Sequence, residues 1–110
     1  MITQLVFVTV PNVDVGKTIA RVLLEERLAA CINVVPAISS LYWWQGKIQE
    51  DQEGLILIKT SQDSIQALQD RLHELHPYDT PEFIAIAVDQ VSAKYLGWLE
   101  SNLAVNSHEE

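Results

Sequence analysis

The chain has 110 residues, room for one domain with a true core but not for two. Seven basic against fifteen acidic side chains leave a net charge of −8, with no cluster of Lys or Arg; this excludes partners read through phosphate backbones or anionic membrane surfaces. Cys31 is the single cysteine, so no intrachain disulfide can form. With no basic leader segment and no apolar run near the ~20 residues of a membrane helix, the expected compartment is the cytoplasm.

Residues 2–10 are apolar and β-branched and predict a strand that Pro11 and Asn12 end. Asp14 is the expected cap of a helix whose apolar positions Val15, Ile19, Val22 and Leu23 recur at i, i+4, i+7 and i+8, with Lys17, Arg21 and Glu25 as its wet stripe. Residues 31–44 again read as strand, broken at Pro36, which predicts an edge strand or a bulge. Residues 46–54, with Glu50, Asp51 and Glu53, read as turn-rich, and residues 55–60 as the return strand of a long hairpin.

A helix follows over residues 61–76, where Ile65, Leu68, Leu72 and Leu75 form the apolar stripe and Pro77 ends it. Residues 83–89 predict a fourth strand. Residues 92–103 predict a last helix with Tyr95, Leu96, Leu99 and Leu103 on one side. The domain is expected to span residues 1–105, with 106–110 as a flexible polar tail.

The order β-α-β-β-α-β-α is the α+β, ferredoxin-like split βαβ arrangement with one helix added at the C-terminus. Right-handed crossovers put both main helices on one sheet face. The strands nevertheless carry apolar residues on both faces: Leu5 and Phe7 oppose Val6 and Val8, and Leu55 and Leu57 oppose Ile56 and Ile58. One short extra helix cannot span a four-stranded sheet, so a second copy of the chain is the expected cover, and the protein is expected to be a homo-oligomer.

Candidate chemistry is sparse. The run from Pro11 to Thr18 ends in Gly16-Lys17-Thr18, like the close of a phosphate-binding loop, but Pro11 stands where the first glycine belongs and has no N–H to offer a phosphate. Cys31, between Ala30 and Ile32, reads as a small buried hydrophobe or as a thiolate ligand or nucleophile. His73 lies on the polar side of its helix. His76 can cap the helix C-terminus or serve as a metal ligand. The acidic residues Glu50, Asp51 and Glu53 lack the ordered ligand pattern of a calcium loop and read as a solvated hairpin end. The segment from His76 to Glu82 is dense in polar and rigid residues and is a candidate functional loop or a connection stiffened by two prolines.

Taken together, five runs are recognisable: Leu28-Ala29-Ala30-Cys31-Ile32-Asn33, then Ser40-Leu41-Tyr42-Trp43-Trp44-Gln45-Gly46-Lys47, then Lys59-Thr60, then His76-Pro77-Tyr78 to Pro81-Glu82, then Tyr95-Leu96-Gly97-Trp98-Leu99. In these runs, in their order and in their spacing, the chain resembles the CutA family of divalent-cation tolerance proteins. The resemblance implies a compact homotrimer of ferredoxin-like subunits with a role in tolerance to copper and other divalent cations. It leaves His76, Cys31 and Glu82 as potential metal ligands at family motif positions. Some bacterial relatives carry a cysteine where Val8 stands here and a second histidine where Leu75 stands, so the resemblance implies weak copper binding, with no cofactor required. Similar trimers occur among nitrogen-regulatory signalling proteins, which keeps a signalling or scaffold role at clefts between subunits as the alternative. No catalytic motif is present, and the chain is expected not to be an enzyme.

Overall fold

The computed structural model describes residues 2–104; residue 1 and residues 105–110, including the end of the predicted domain and its tail, lie outside the described residues. Strand β1, Thr3–Val10, gives way at Pro11 to helix α1, Val13–Glu25. The cap is Asn12, not Asp14: its extended backbone precedes the helix, and its Oδ1 accepts the Val15 N–H at 2.9 Å. Asp14 instead lies in the first turn, where a carboxylate favours the helix dipole. Strand β2, Cys31–Trp44, and strand β3, Lys47–Ser61, form the long hairpin. A short 3₁₀ turn at Gln62–Ser64 leads into α2, Ile65–Leu75, and His76 turns extended ahead of Pro77. Strand β4 is Ile84–Ala87 and helix α3 is Ala93–Ser101, both shorter than the sequence predicts.

The four strands form one antiparallel sheet in the order β2-β3-β1-β4, the order of the ferredoxin-like arrangement. Val6, Val8 and Val10 of β1 and Ile56 and Ile58 of β3 are buried under Ile19 and Leu23 of α1 and Leu68 and Leu72 of α2. The opposite face carries Leu5, Phe7, Leu55 and Leu57, all half-buried, with Ile84 and Ile86 exposed beside them. Helix α3 covers only one end of that face, where Tyr95 and Leu99 border Leu5 and Lys59. Most of the second face of the single chain therefore stays open, as the two-sided apolar pattern predicts.

The largest departure from expectation is in the hairpin. Residues 47–53 are strand, not turn. The reversal takes only Gln45 and Gly46, at φ 51° and 77°, and positive φ at both positions matches the twist of the flanking strands. Gly54, which reads as a turn residue, sits in mid-strand because a Cβ there would come within 3.0 Å of Val10 Cγ2. Beyond Gly54, β3 leaves β1, and Ile38–Trp44 pairs with Lys47–Glu53 alone. This two-stranded arm stretches the chain to 50 Å along its longest axis. It raises the radius of gyration to 14.9 Å, against about 13 Å for a rounded domain of this length.

The phase of the arm is set at Pro36. Register shifts between Val35 and Ile38, so β2 carries one extra residue there; β2 is also an edge strand, and both expectations for the proline hold. Past the bulge, Ser40, Tyr42 and Trp44 share a side with Asp51 and Glu53, while Leu41 and Trp43 share the other with Ile48.

Candidate functional site

The site begins at His76. Its ring is buried, 6% exposed, and both nitrogens are engaged. Nδ1 accepts the Tyr78 N–H at 3.1 Å, so the ring hydrogen is on Nε2, which donates to the Thr9 carbonyl at 2.7 Å. The residue occupies the C-cap position of α2, yet its side chain serves β1 instead of the helix carbonyls. The ring of Tyr78 lies 4.7 Å from that of His76, centroid to centroid, and its hydroxyl donates to Glu53 Oε2 at 2.7 Å. A chain of contacts thus runs from Thr9 on β1 through His76 and Tyr78 to Glu53 on β3. It fastens the 76–82 loop against the base of the arm.

Between arm and loop lies a cleft of about 860 Å³, bordered by Thr9, Tyr42, Trp44, Glu53, Tyr78 and Glu82 among others. Burial first, and then the bond to Glu53, raise the Tyr78 hydroxyl well above an ordinary phenol. The Glu82 carboxyl is raised by burial and by the neighbouring Glu53, with a backbone hydrogen bond at Thr9 acting the other way. The Tyr42 hydroxyl bonds Asp51, and that bond is the main reason its pKa is raised. The sequence holds these parts as two unrelated stretches, a loop and an acidic run. The missing signal is the two-residue period of β3, which puts Asp51 and Glu53 on one side of a strand.

The three candidate metal ligands do not converge in one chain. His76 and Glu82 both come to Thr9. Cys31 pairs with Lys59, which pairs with Leu5, four residues from Thr9, or ~13 Å at ~3.3 Å per residue. Cys31 is half-buried on the open sheet face, with a lysine directly across the strand pair, instead of enclosed among apolar side chains. Val8 and Leu75, where some relatives carry ligands, pack in or against the core. Among the described residues, no three His, Cys, Asp or Glu side chains gather closely enough to hold a metal. His73 is exposed, as read from the sequence. Gly16 lies buried in α1 against Val10 and Ile56, so the Gly16-Lys17-Thr18 run serves helix packing and forms no phosphate loop.

Comparison with known proteins agrees with this architecture throughout. The family model described as CutA1 divalent ion tolerance protein matches residues 4–102. The divalent-cation tolerance protein CutA of Thermus thermophilus is 46% identical over 99 residues, covering 90% of this chain and 96% of that protein. Protein CutA of Homo sapiens is 50% identical over 93 residues, covering 84% of this chain and 52% of the human protein. The chain thus spans nearly all of the Thermus relative and about half of the human one, and it likewise covers 55% of the chloroplastic rice protein. Among solved structures, CutA1 from Oryza sativa superposes with a TM-score of 0.93 at 42% identity, covering 96% of this chain and 97% of that one. The Thermus thermophilus protein superposes with a TM-score of 0.90 at 45% identity, covering 93% and 99%. By its sequence along nearly its whole length and by its fold, this chain belongs to the CutA1 divalent ion tolerance protein family.

Proposed function

We propose that the chain acts as a cytoplasmic homotrimer in tolerance to divalent cations such as copper, without catalysing a reaction and with metal bound only weakly. Membership of the family carries the tolerance reading. The arm supports self-association. Leu41, Trp43 and Ile48 lie along one side of it and are 64%, 73% and 63% exposed. A lone two-stranded ribbon is at best marginally stable in water, and such a stripe normally marks an interface. The half-open sheet face, with Phe7, Leu57, Ile84 and Ile86, lies by register on the opposite side of the sheet from this stripe and is a second apolar surface that another copy can cover. The number three comes from the resemblance to CutA trimers.

The ligand geometry supports weak metal binding. His76 must give up a hydrogen bond before either nitrogen can face an ion, and of the other two candidate ligands only Glu82 comes to the same Thr9 backbone. Copper heads the divalent affinity order for such nitrogen and oxygen ligands, yet two ligands make a poor shell. The reading is tested in cells lacking their own copy of such a gene. Expression of this chain restores growth across graded copper; equal growth of both strains at every concentration refutes it. Sedimentation equilibrium checks the assembly, where three chains of 12.4 kDa give about 37 kDa, from 3 × 12.4.

A second reading, a module that binds a small molecule in the cleft, is favoured by one observation. At about 860 Å³, the space between arm and loop has the size of a small-molecule site.

A further inference from the structure

We propose that the cleft between the arm and the 76–82 loop binds a small, weakly hydrated organic cation, of which a quaternary ammonium ion is the best case. The inference rests on the small-molecule reading of that cleft and names its ligand. Three observations carry it. First, the lining includes three aromatic side chains, Tyr42, Trp44 and Tyr78, and three carboxylates, Glu53, Asp79 and Glu82, with no lysine or arginine among the described lining residues. An anion is repelled there, and a cation is held both by the carboxylates and by the negative ring faces of aromatic residues.

Second, the tyrosines are prepared for that role. Tyr78 donates to Glu53 at 2.7 Å, and Tyr42 donates to Asp51. A phenol that donates to a carboxylate gains electron density in its ring, which strengthens its attraction for a cation. The same bonds fix the hydroxyl ends of both side chains, so less conformational freedom is lost on binding. Glu82 lines the cleft and has no ion-pair partner among the described residues.

Third, the geometry suits a diffuse cation better than a bare dication. A hard dication needs several oxygens converging at roughly 2.0–2.6 Å. No three acidic or metal-binding side chains gather in that way among the described residues, and Glu53 is already committed to Tyr78. An onium ion makes no such demand, since it is held at distances up to about 6 Å from ring centres.

The test uses the full chain in its native assembly, titrated with choline and with 3,3-dimethylbutan-1-ol, its uncharged isostere, and followed by amide NMR shifts. The expected result is saturable movement of the amides of Tyr78, Thr80 and Glu82 by choline, at least tenfold tighter than by the alcohol. Glu82→Gln and Glu53→Gln each weaken choline at least tenfold, and Tyr78→Ala does the same with the loop's other amides still dispersed. Having two carboxylate variants keeps the test informative where one fails to fold. Equal binding of choline and the alcohol overturns the cation and leaves the small-molecule reading standing. Displacement of choline by equimolar magnesium chloride makes the cleft a metal site and overturns the proposal. Binding of Nα-acetyl-lysine amide as tight as choline makes the cleft a slot for a protein side chain and overturns it as well. Where neither probe moves these amides, the proposal and the small-molecule reading fall together.

Discussion

Trp43→Ala is the sharpest test of the arm as an interface. In the single chain Trp43 is 73% exposed at the tip of the hairpin. A tryptophan offers up to about 250 Å², so about 180 Å² of it awaits cover. At ~25 cal/mol per Å² that is worth about 4.5 kcal/mol if wholly buried, and about 3 kcal/mol after allowing for what alanine retains. A symmetric trimer loses this three times, about 9 kcal/mol, or some six to seven decades in the association constant. Because that constant scales with the inverse square of concentration, the dissociation midpoint moves up by about three decades. The monomer fold should be spared, since the side chain contacts little within its own subunit. Sedimentation velocity across a dilution series reads the midpoint, and far-ultraviolet circular dichroism checks the fold. A variant that stays assembled at the parent's concentrations, with the parent's melting temperature, refutes the arm as interface.

Three further outcomes follow from the site. Copper binds with micromolar or weaker affinity, about −8 kcal/mol or less favourable, and His76→Ala weakens it further in calorimetric titration; nanomolar binding, or binding unchanged in the variant, contradicts the assignment of His76. Glu82→Gln in chelator-treated buffer raises the melting temperature near neutrality. The parent carboxyl has a raised pKa in the folded state, so its contribution to stability is full at acid pH and is lost as pH climbs through the carboxylate range; the two melting curves should converge on acidification, and a gap constant with pH counts against the reasoning. Gly54→Ala puts a Cβ 3.0 Å from Val10 Cγ2 and 3.5 Å from the Asn12 backbone, which costs about 1–3 kcal/mol in denaturant unfolding; no loss of stability means β1 can shift to make room.

The fold was legible because its signals are local. Val15, Ile19, Val22 and Leu23 mark α1, and Ile65, Leu68, Leu72 and Leu75 mark α2, within a few residues of the observed limits. The open sheet face was legible too, since apolar residues at both odd and even positions of β1 and β3 cannot all lie under two helices. The reversal of the hairpin was not. Gly46 and Gly54 look alike in sequence; one supplies a left-handed backbone and the other a close approach to Val10, and only the neighbours tell them apart. The site was the least legible part, because its bonds join residues far apart in the chain. His76 meets Thr9 across 67 residues and Tyr78 meets Glu53 across 25. No periodicity carries such a pairing, and a buried histidine bonded at both nitrogens is indistinguishable in sequence from one free to bind an ion.

The two proposed tasks of the arm depend on a single extra residue. Between Val35 and Ile38, β2 advances three positions while β3 goes from Leu55 to Glu53, two positions. Side chains in a strand alternate, so this one-residue offset decides which set faces the cleft. With it, Tyr42 and Trp44 stand beside Asp51 and Glu53, while Leu41 and Trp43 stand with Ile48 on the outer side. Without it, Ala37 would oppose Glu53 and each later residue of β2 would exchange sides. Trp43 would then face the acidic cleft, whose rim Leu41 already touches, and the Tyr42 hydroxyl would point away from Asp51. Pro36 stabilises the offset, since it has no N–H for the ladder and sits on an edge strand where the loss is tolerated. The apolar stripe proposed for assembly and the aromatic-acid cleft proposed for ligand binding are therefore two faces of one ribbon, kept distinct by a proline that the sequence marks plainly but whose effect reaches the tip eight residues away at Trp44.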